Sequence, residues 1–126
     1  MRWKSVNRFV VLAAALIAAQ AGAASRPCTP APEISARLAE LARQWQPRLQ
    51  QEAGYAPVGP VTVCLISHGR PFADKVLQRV YVRPLTSLDA QITLAHEYLH
   101  LAFAHHPHGD DEVWVESLAR QLVEQP

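Results

Sequence analysis

The chain has 126 residues, with 12 lysines and arginines against 11 aspartates and glutamates, a net charge of +1. Three of those basic residues, Arg2, Lys4 and Arg8, sit at the very start, so the rest carries nine basic against eleven acidic residues, a charge of −2. Such a balance offers no basic face to nucleic acid or to an anionic membrane surface. The segment beyond residue 24, about 100 residues long, is enough for one small domain with one core.

The basic start is followed by an uninterrupted apolar run from Phe9 to Ala19 and then by Ala21-Gly22-Ala23, a small-x-small pattern. Residues 1–24 read as a secretory signal peptide, with a single domain over 25–126. The apolar run falls short of the ~20 residues that a membrane-spanning helix needs, so no stable membrane anchor is expected after cleavage. The expected location is therefore outside the cell or in a periplasm. In such an oxidising compartment the two cysteines, Cys28 and Cys64, read most simply as one disulfide.

In chain order, Pro30 and Pro32 lead into a stripe of Ile34, Leu38, Leu41, Trp45 and Leu49 at helical spacing. Pro47 is expected to kink or end this helix near Trp45, with a short continuation to Ala53 and Gly54 as its close. Val61 to Ile66 is a β-branched run suited to a buried strand. Ser67 to Asp74 reads as a polar loop and Val76 to Val82 as a second strand. Together they predict an antiparallel pair whose second member presents an edge to which a peptide could add.

Thr86-Ser87-Leu88-Asp89 is a helix-start signal. The apolar positions Leu88, Ile92, Ala95, Leu99, Ala102 and Phe103 continue it as a helix. On that helix lies His96-Glu97-Tyr98-Leu99-His100, an H-E-x-x-H pattern. Residues four apart share one helical face, so His96 and His100 aim two imidazoles at one point. Glu97 lies about 100° round the helix, where it reaches a water on a bound ion without ligating the ion. This is the donor arrangement of a zinc hydrolase, with two neutral nitrogens for Zn2+ and a carboxylate as general base.

A catalytic zinc site needs a third protein ligand. Pro107 and Gly109 break the chain, and Asp110 or Asp111 caps a last helix from about Glu112 to Glu124. Folded back against the His96 helix, it brings candidates close: Glu116, Glu112, His105, His106, His108 and the Asp110/Asp111 pair. Glu116 stands between Val115 and Leu118, and a carboxylate on so apolar a face requires a partner.

His96 to His100, followed by Trp114-Val115-Glu116-Ser117-Leu118-Ala119, resembles the gluzincin branch of the H-E-x-x-H zinc metallopeptidases. The resemblance covers about Tyr81 to Glu124. It implies His96, His100 and Glu116 as metal ligands and Glu97 as the catalytic base. Were Glu112 the ligand, Glu116 would fill the outer, supporting role; His106, six residues after His100, matches the metzincin spacing instead. The segment around His96 to Phe103, with Asp111, Glu112 and Trp114, is also similar to uncharacterised secreted bacterial proteins.

The expectation is therefore an α+β, zincin-like domain. It has an N-terminal helix, a small antiparallel sheet, the H-E-x-x-H helix and a C-terminal helix. Its expected function is that of a secreted zinc-dependent peptidase, with Zn2+ as cofactor and a peptide or protein as substrate. The alternative is a non-catalytic zinc-binding or envelope interaction protein.

Overall fold

The computed structural model describes residues 26–125, so the expected signal segment, 1–24, lies outside the described residues. The fold is α+β, built from three helices and one four-stranded sheet. The elements run β1 (Thr29–Pro30), α1 (Pro32–Leu49), β2 (Thr62–Leu65), β3 (Phe72–Asp74), β4 (Arg79–Val82), α2 (Leu88–Ala102) and α3 (Glu112–Glu124). A 3₁₀ turn over Pro107–Asp110 joins the last two. Among the described residues no helix is long and apolar enough to cross a membrane.

Helix α1 starts on Pro32, whose fixed φ suits a first helical position. Ser35 ties the helix to the sheet: its hydroxyl donates to the Ala31 carbonyl at 3.0 Å and accepts from the Val63 amide at 2.9 Å. The helix does not end near Trp45 but runs through Pro47 to Leu49. Both Trp45 and Leu49 are buried, and the Trp45 ring packs 5.8 Å from that of Tyr98. Core packing of the last turn thus offsets the hydrogen bond that proline cannot donate.

The sheet corrects two expectations. Its order is β1-β2-β4-β3, and β2 pairs with β4 in parallel, Val63 opposite Val80 and Cys64 opposite Tyr81. The expected antiparallel pair fails because Ser67–Asp74 is not all loop. Phe72–Asp74 forms a short strand on the far side of β4, antiparallel to it. Consequently β4 is paired on both sides and presents no edge; the free edge on that side belongs to β3. Val76, expected in the strand, is instead 89% exposed in the β3–β4 turn. There the Asp74 carboxylate accepts from the amides of Val76 and Leu77 at 3.0 and 2.9 Å, and Gln78 adopts φ +54°. This local bonding by an aspartate selects a turn over a strand.

The sheet's two faces are covered differently. Val63 and Val80 face the helices. Cys64, Tyr81 and Phe72 face the other way, where they meet Arg26 and Cys28. Cys28 and Cys64 form the expected disulfide. The Tyr81 hydroxyl donates to the Arg26 carbonyl at 3.0 Å, and Phe72 lies between the Tyr81 ring, 4.2 Å away, and the Arg26 guanidinium, 4.6 Å away.

Helix α2 is the central element. It packs on the sheet with one side and against α3 with another, burying Ile92, Leu94, Ala95, Tyr98, Leu99 and Ala102. Its remaining face, carrying His96 and His100, is turned toward the start of α3.

Candidate metal centre

The Ser87 hydroxyl caps α2 by accepting from the Ala90 amide at 3.1 Å, as its sequence signal implied. The helix then carries His96 and His100 one turn apart with ring centroids 4.9 Å from each other. Past Ala102 the chain turns sharply. Gly109 lies so close to the preceding segment that an added Cβ would stand 2.1 Å from the Phe103 carbonyl oxygen. Asp111, one of the two expected caps, starts α3 by accepting from the amides of Val113 and Trp114 at 3.1 Å. Helix α3 therefore runs back antiparallel along α2 with Glu112 and Glu116 one turn apart on the facing side.

The contacts that result are specific in their atoms. His100 Nδ1 donates to the Gly109 carbonyl at 2.6 Å, which leaves Nε2 pointing outward, 3.0 Å from Glu112 Oε1. His96 Nε2 lies 2.8 Å from Glu112 Oε2, and its Nδ1 lies 2.6 Å from Glu116 Oε2. Glu116 is held from its other side by Arg120, at 3.2 Å. One carboxylate, Glu112, thus bridges the two Nε2 atoms, while the other, Glu116, grips the back of the first imidazole. The sequence placed Glu116 among the site residues. The structure brings it there on Nδ1 and sets Glu112 on the Nε2 side.

These bonds constrain what fills the space between the rings. A carbonyl only accepts, so His100 Nδ1 must carry a proton; the neutral ring then has a bare lone pair on Nε2, facing a carboxylate oxygen. Two acceptors at 3.0 Å repel unless a proton or a metal cation lies between them. His96 is in the same position, with carboxylate oxygens on both nitrogens. The donor set therefore calls for positive charge, supplied by imidazolium protons or by a divalent ion of the nitrogen- and oxygen-binding kind.

The electrostatics agree with the geometry. Burial acts to lower the pKa of His96, but hydrogen bonds to Glu116 and Glu112, with the charge of Glu97, outweigh it and hold the ring above its ordinary value. Glu97 is 7% exposed and is the buried charged side chain among the described residues. One of its oxygens and nitrogens of both histidines lie within 4.8 Å of one another. None of the hydrogen bonds of the cluster reaches Glu97. Burial, reinforced by the charges of Glu112 and Glu116, raises its pKa against the opposing pull of His100 and His96.

The remaining candidates lie elsewhere. The His106 ring packs under Gly54 and its Nδ1 accepts from the His108 amide at 3.1 Å. His108 stacks on Trp114, 4.6 Å between centroids, with Nδ1 buried and unpaired, and His105 is exposed. Asp110 pairs with Lys75 at 3.2 Å. Two further polar side chains, outside that candidate set, also lie away from the cluster: His68 bonds to Ser67 on the β2–β3 loop, and the Tyr81 hydroxyl donates to the Arg26 carbonyl. Sequence reasoning did not find the Gly109 carbonyl, because a backbone acceptor carries no side-chain signal. It could have ranked Glu112 higher from the four-residue step that sets it on the same face as Glu116.

Comparison with known proteins adds a relationship without an activity. The chain is 39% identical over 102 residues to the uncharacterized protein YfaQ of Escherichia coli (strain K12). That alignment takes in 81% of this chain and 19% of the relative, so the chain spans about a fifth of the length of the curated protein it matches. No solved structure matches it. The family model described as "Predicted secreted protein (DUF2300)" matches residues 4–108, a span that includes the His96–His100 helix and ends ahead of Glu112. Export, expected from the leader, is thus the family's description too, and the chain belongs to the DUF2300 family of predicted secreted proteins.

Proposed function

We propose that the domain is a zinc-dependent peptidase in which His96 and His100, through Nε2, and Glu112 hold the ion. The observation that carries this reading is the convergence of two outward Nε2 atoms on one carboxylate, 2.8 and 3.0 Å away, with both Nδ1 atoms held from behind. Histidine ligands are ordinarily oriented in this way, by a carboxylate or carbonyl on the second nitrogen. In this assignment Glu116 orients His96 and strengthens it as a donor, rather than ligating as the gluzincin resemblance implies.

The chemistry supplied by zinc, when bound, is Lewis acidity toward a carbonyl and toward water. The chain's own part is proton handling and positioning. Glu97, buried beside the donors and with no side-chain hydrogen bond among the described residues, takes a proton from the attacking water and passes it to the leaving amine. An extended peptide would add to the outer edge of β3. Lys75, just past the end of that strand, lies 3.2 Å from Asp110 in the turn that carries Gly109.

A second reading, zinc held without catalysis, is favoured by one observation. Two clefts among the described residues, of about 620 and 280 Å³, are lined by neither His96 nor His100 nor Glu97. Glu97→Gln decides between the two. On the peptidase reading the variant keeps stoichiometric zinc and loses cleavage of a peptide library by about 10²-fold or more. Matching product profiles for wild type and variant would leave only zinc holding. A purified protein without stoichiometric zinc, or one whose zinc binding survives His96→Ala, would remove both.

A further inference from the structure

The overall charge balance promised no basic face, yet the fold assembles one by sorting the charges. Arg37, Arg48, Lys75 and Arg120 each meet a carboxylate. Arg26, Arg70, Arg79 and Arg83 meet none among the described residues. Side chains alternate along a strand, so Arg79 stands on the same side of β4 as Tyr81, away from Val80 and the helices. Arg26 reaches that side from the N-terminal segment, over Phe72. Arg83 follows β4 in the same alternation and bonds to the β2–β3 loop, where Arg70 is exposed beside Gly69. Asp74 is the one acidic residue in the four strands, and its carboxylate is spent on the amides of Val76 and Leu77.

Three of these guanidiniums are held by neutral groups. Arg79 donates to the Tyr81 hydroxyl at 3.4 Å, Arg83 donates twice to the Gly69 carbonyl at 3.3 and 3.0 Å, and Arg26 lies 4.6 Å over the Phe72 ring. Such partners orient a cation without neutralising it. Four residues of strand separate Arg79 from Arg83, about 13 Å. That is too far to share one anion, so the array suits a surface that carries many.

The point at which the chain enters the fold selects the surface. The apolar run Phe9 to Ala19 of the expected leader ends seven residues before Arg26, at most about 25 Å of extended chain. The Arg26 carbonyl is fixed on the outer side of the sheet by the Tyr81 hydroxyl at 3.0 Å. A leader engaged in a membrane therefore tethers this face, and not the helical layer, within about 25 Å of the bilayer. We propose that after export the outer sheet face docks on an anionic phospholipid surface, with Arg26, Arg70, Arg79 and Arg83 on separate headgroup phosphates. Arginine is suited to such contacts, because its planar fork matches phosphate oxygens.

Flotation with lipid vesicles tests this. The purified protein should bind vesicles containing about 30% phosphatidylglycerol in about 0.05 M salt and be released by about 0.5 M salt. Vesicles of phosphatidylcholine alone should bind it at least about tenfold more weakly. Arg79→Gln with Arg83→Gln should weaken binding to the anionic vesicles about 25-fold, and Arg26→Gln, a change outside any helix or strand, about fivefold. Arg43→Gln, which removes an exposed charge from α1 in the helical layer, should leave binding unchanged. Equal binding to the two vesicle types overturns the proposal, as does full binding by the Arg26→Gln variant. A loss in Arg43→Gln as large as that in Arg26→Gln overturns it too, since net charge alone would then be acting. So does displacement by inorganic phosphate at constant ionic strength, which would mark a site for the free anion and not for a lipid surface. None of these readouts depends on zinc.

Discussion

Replacing Glu112 and Glu116 one at a time by glutamine separates the two carboxylates by what each does. Glu112 touches both Nε2 atoms, at 2.8 and 3.0 Å; a cation shared by those nitrogens therefore lies within about 4 Å of its charge. At an effective dielectric constant near 20, each unit of charge at that distance is worth about 4 kcal/mol, or about 8 kcal/mol for a divalent ion; with roughly half of that offset by desolvation of the ion and the carboxylate, the loss is on the order of 10³ in affinity. Glu116 acts only through the imidazole, by its 2.6 Å contact with His96 Nδ1. Loss of such an outer partner costs about 10- to 100-fold in metal affinity, or roughly 1.4 to 2.7 kcal/mol. Competition of each variant with a chromogenic zinc chelator at pH 7.5 measures both. Glu112→Gln should be the weaker binder by one to two orders of magnitude. If Glu116→Gln loses more, the ligand is the glutamate that the gluzincin resemblance implies, and the assignment of Glu112 is wrong.

Three further outcomes are expected. Without metal, His96 and Glu97 both have folded-state pKa values above their ordinary ones, so each contributes stability that is complete below its ordinary value and lost as pH rises through the raised one. The thermal midpoint in chelator should therefore fall from pH 5 to 9, while the gain on adding zinc grows with pH as His96 gives up its proton; a chelated midpoint that climbs over this window refutes the sign. Gly109→Ala, whose Cβ would stand 2.1 Å from the Phe103 carbonyl, should cost about 2 kcal/mol and weaken zinc binding together with stability, read by denaturation and by chelator competition. Opening the Cys28–Cys64 bond, which spans 36 residues, by a double serine substitution should cost about 4 kcal/mol in the chain-entropy model, seen as a lower midpoint in calorimetry with zinc stoichiometry unchanged.

What the sequence shows and what it conceals divide along the range of the interactions involved. The start of α2 at Thr86 or Ser87, the start of α3 at Asp110 or Asp111 and the sharing of one face by His96 and His100 are local matters of capping and periodicity and were legible; which of each pair caps, Ser87 and Asp111, was not. The class, α+β, was legible for the same reason. The sheet was not, because pairing is decided between distant segments. The Val76-Leu77 pair looks like strand, yet the Asp74 side chain converts it to a turn, and the three residues Phe72–Asp74 are too few to announce a strand. The proline at 47 gave the right local physics and the wrong result, since burial of Trp45 and Leu49 overrode it.

The choice between Glu112 and Glu116 shows where pattern gives way to geometry. Both stand on the correct face of the correct helix, and a four-residue step on α3 matches the four-residue step between the histidines on α2. Antiparallel packing then sets the carboxylates opposite the imidazoles in one of two offsets, differing by a single helical turn. The offset is set by the turn between the helices, where Gly109 is pressed against Phe103 and its carbonyl holds His100 Nδ1. With His100 fixed from behind at that point, the first carboxylate of α3 meets both Nε2 atoms and the second falls one turn further on, behind His96. A small residue outside the H-E-x-x-H pattern therefore decides which glutamate faces the two Nε2 atoms, and the backbone that makes the fold close is the same backbone that orients His100.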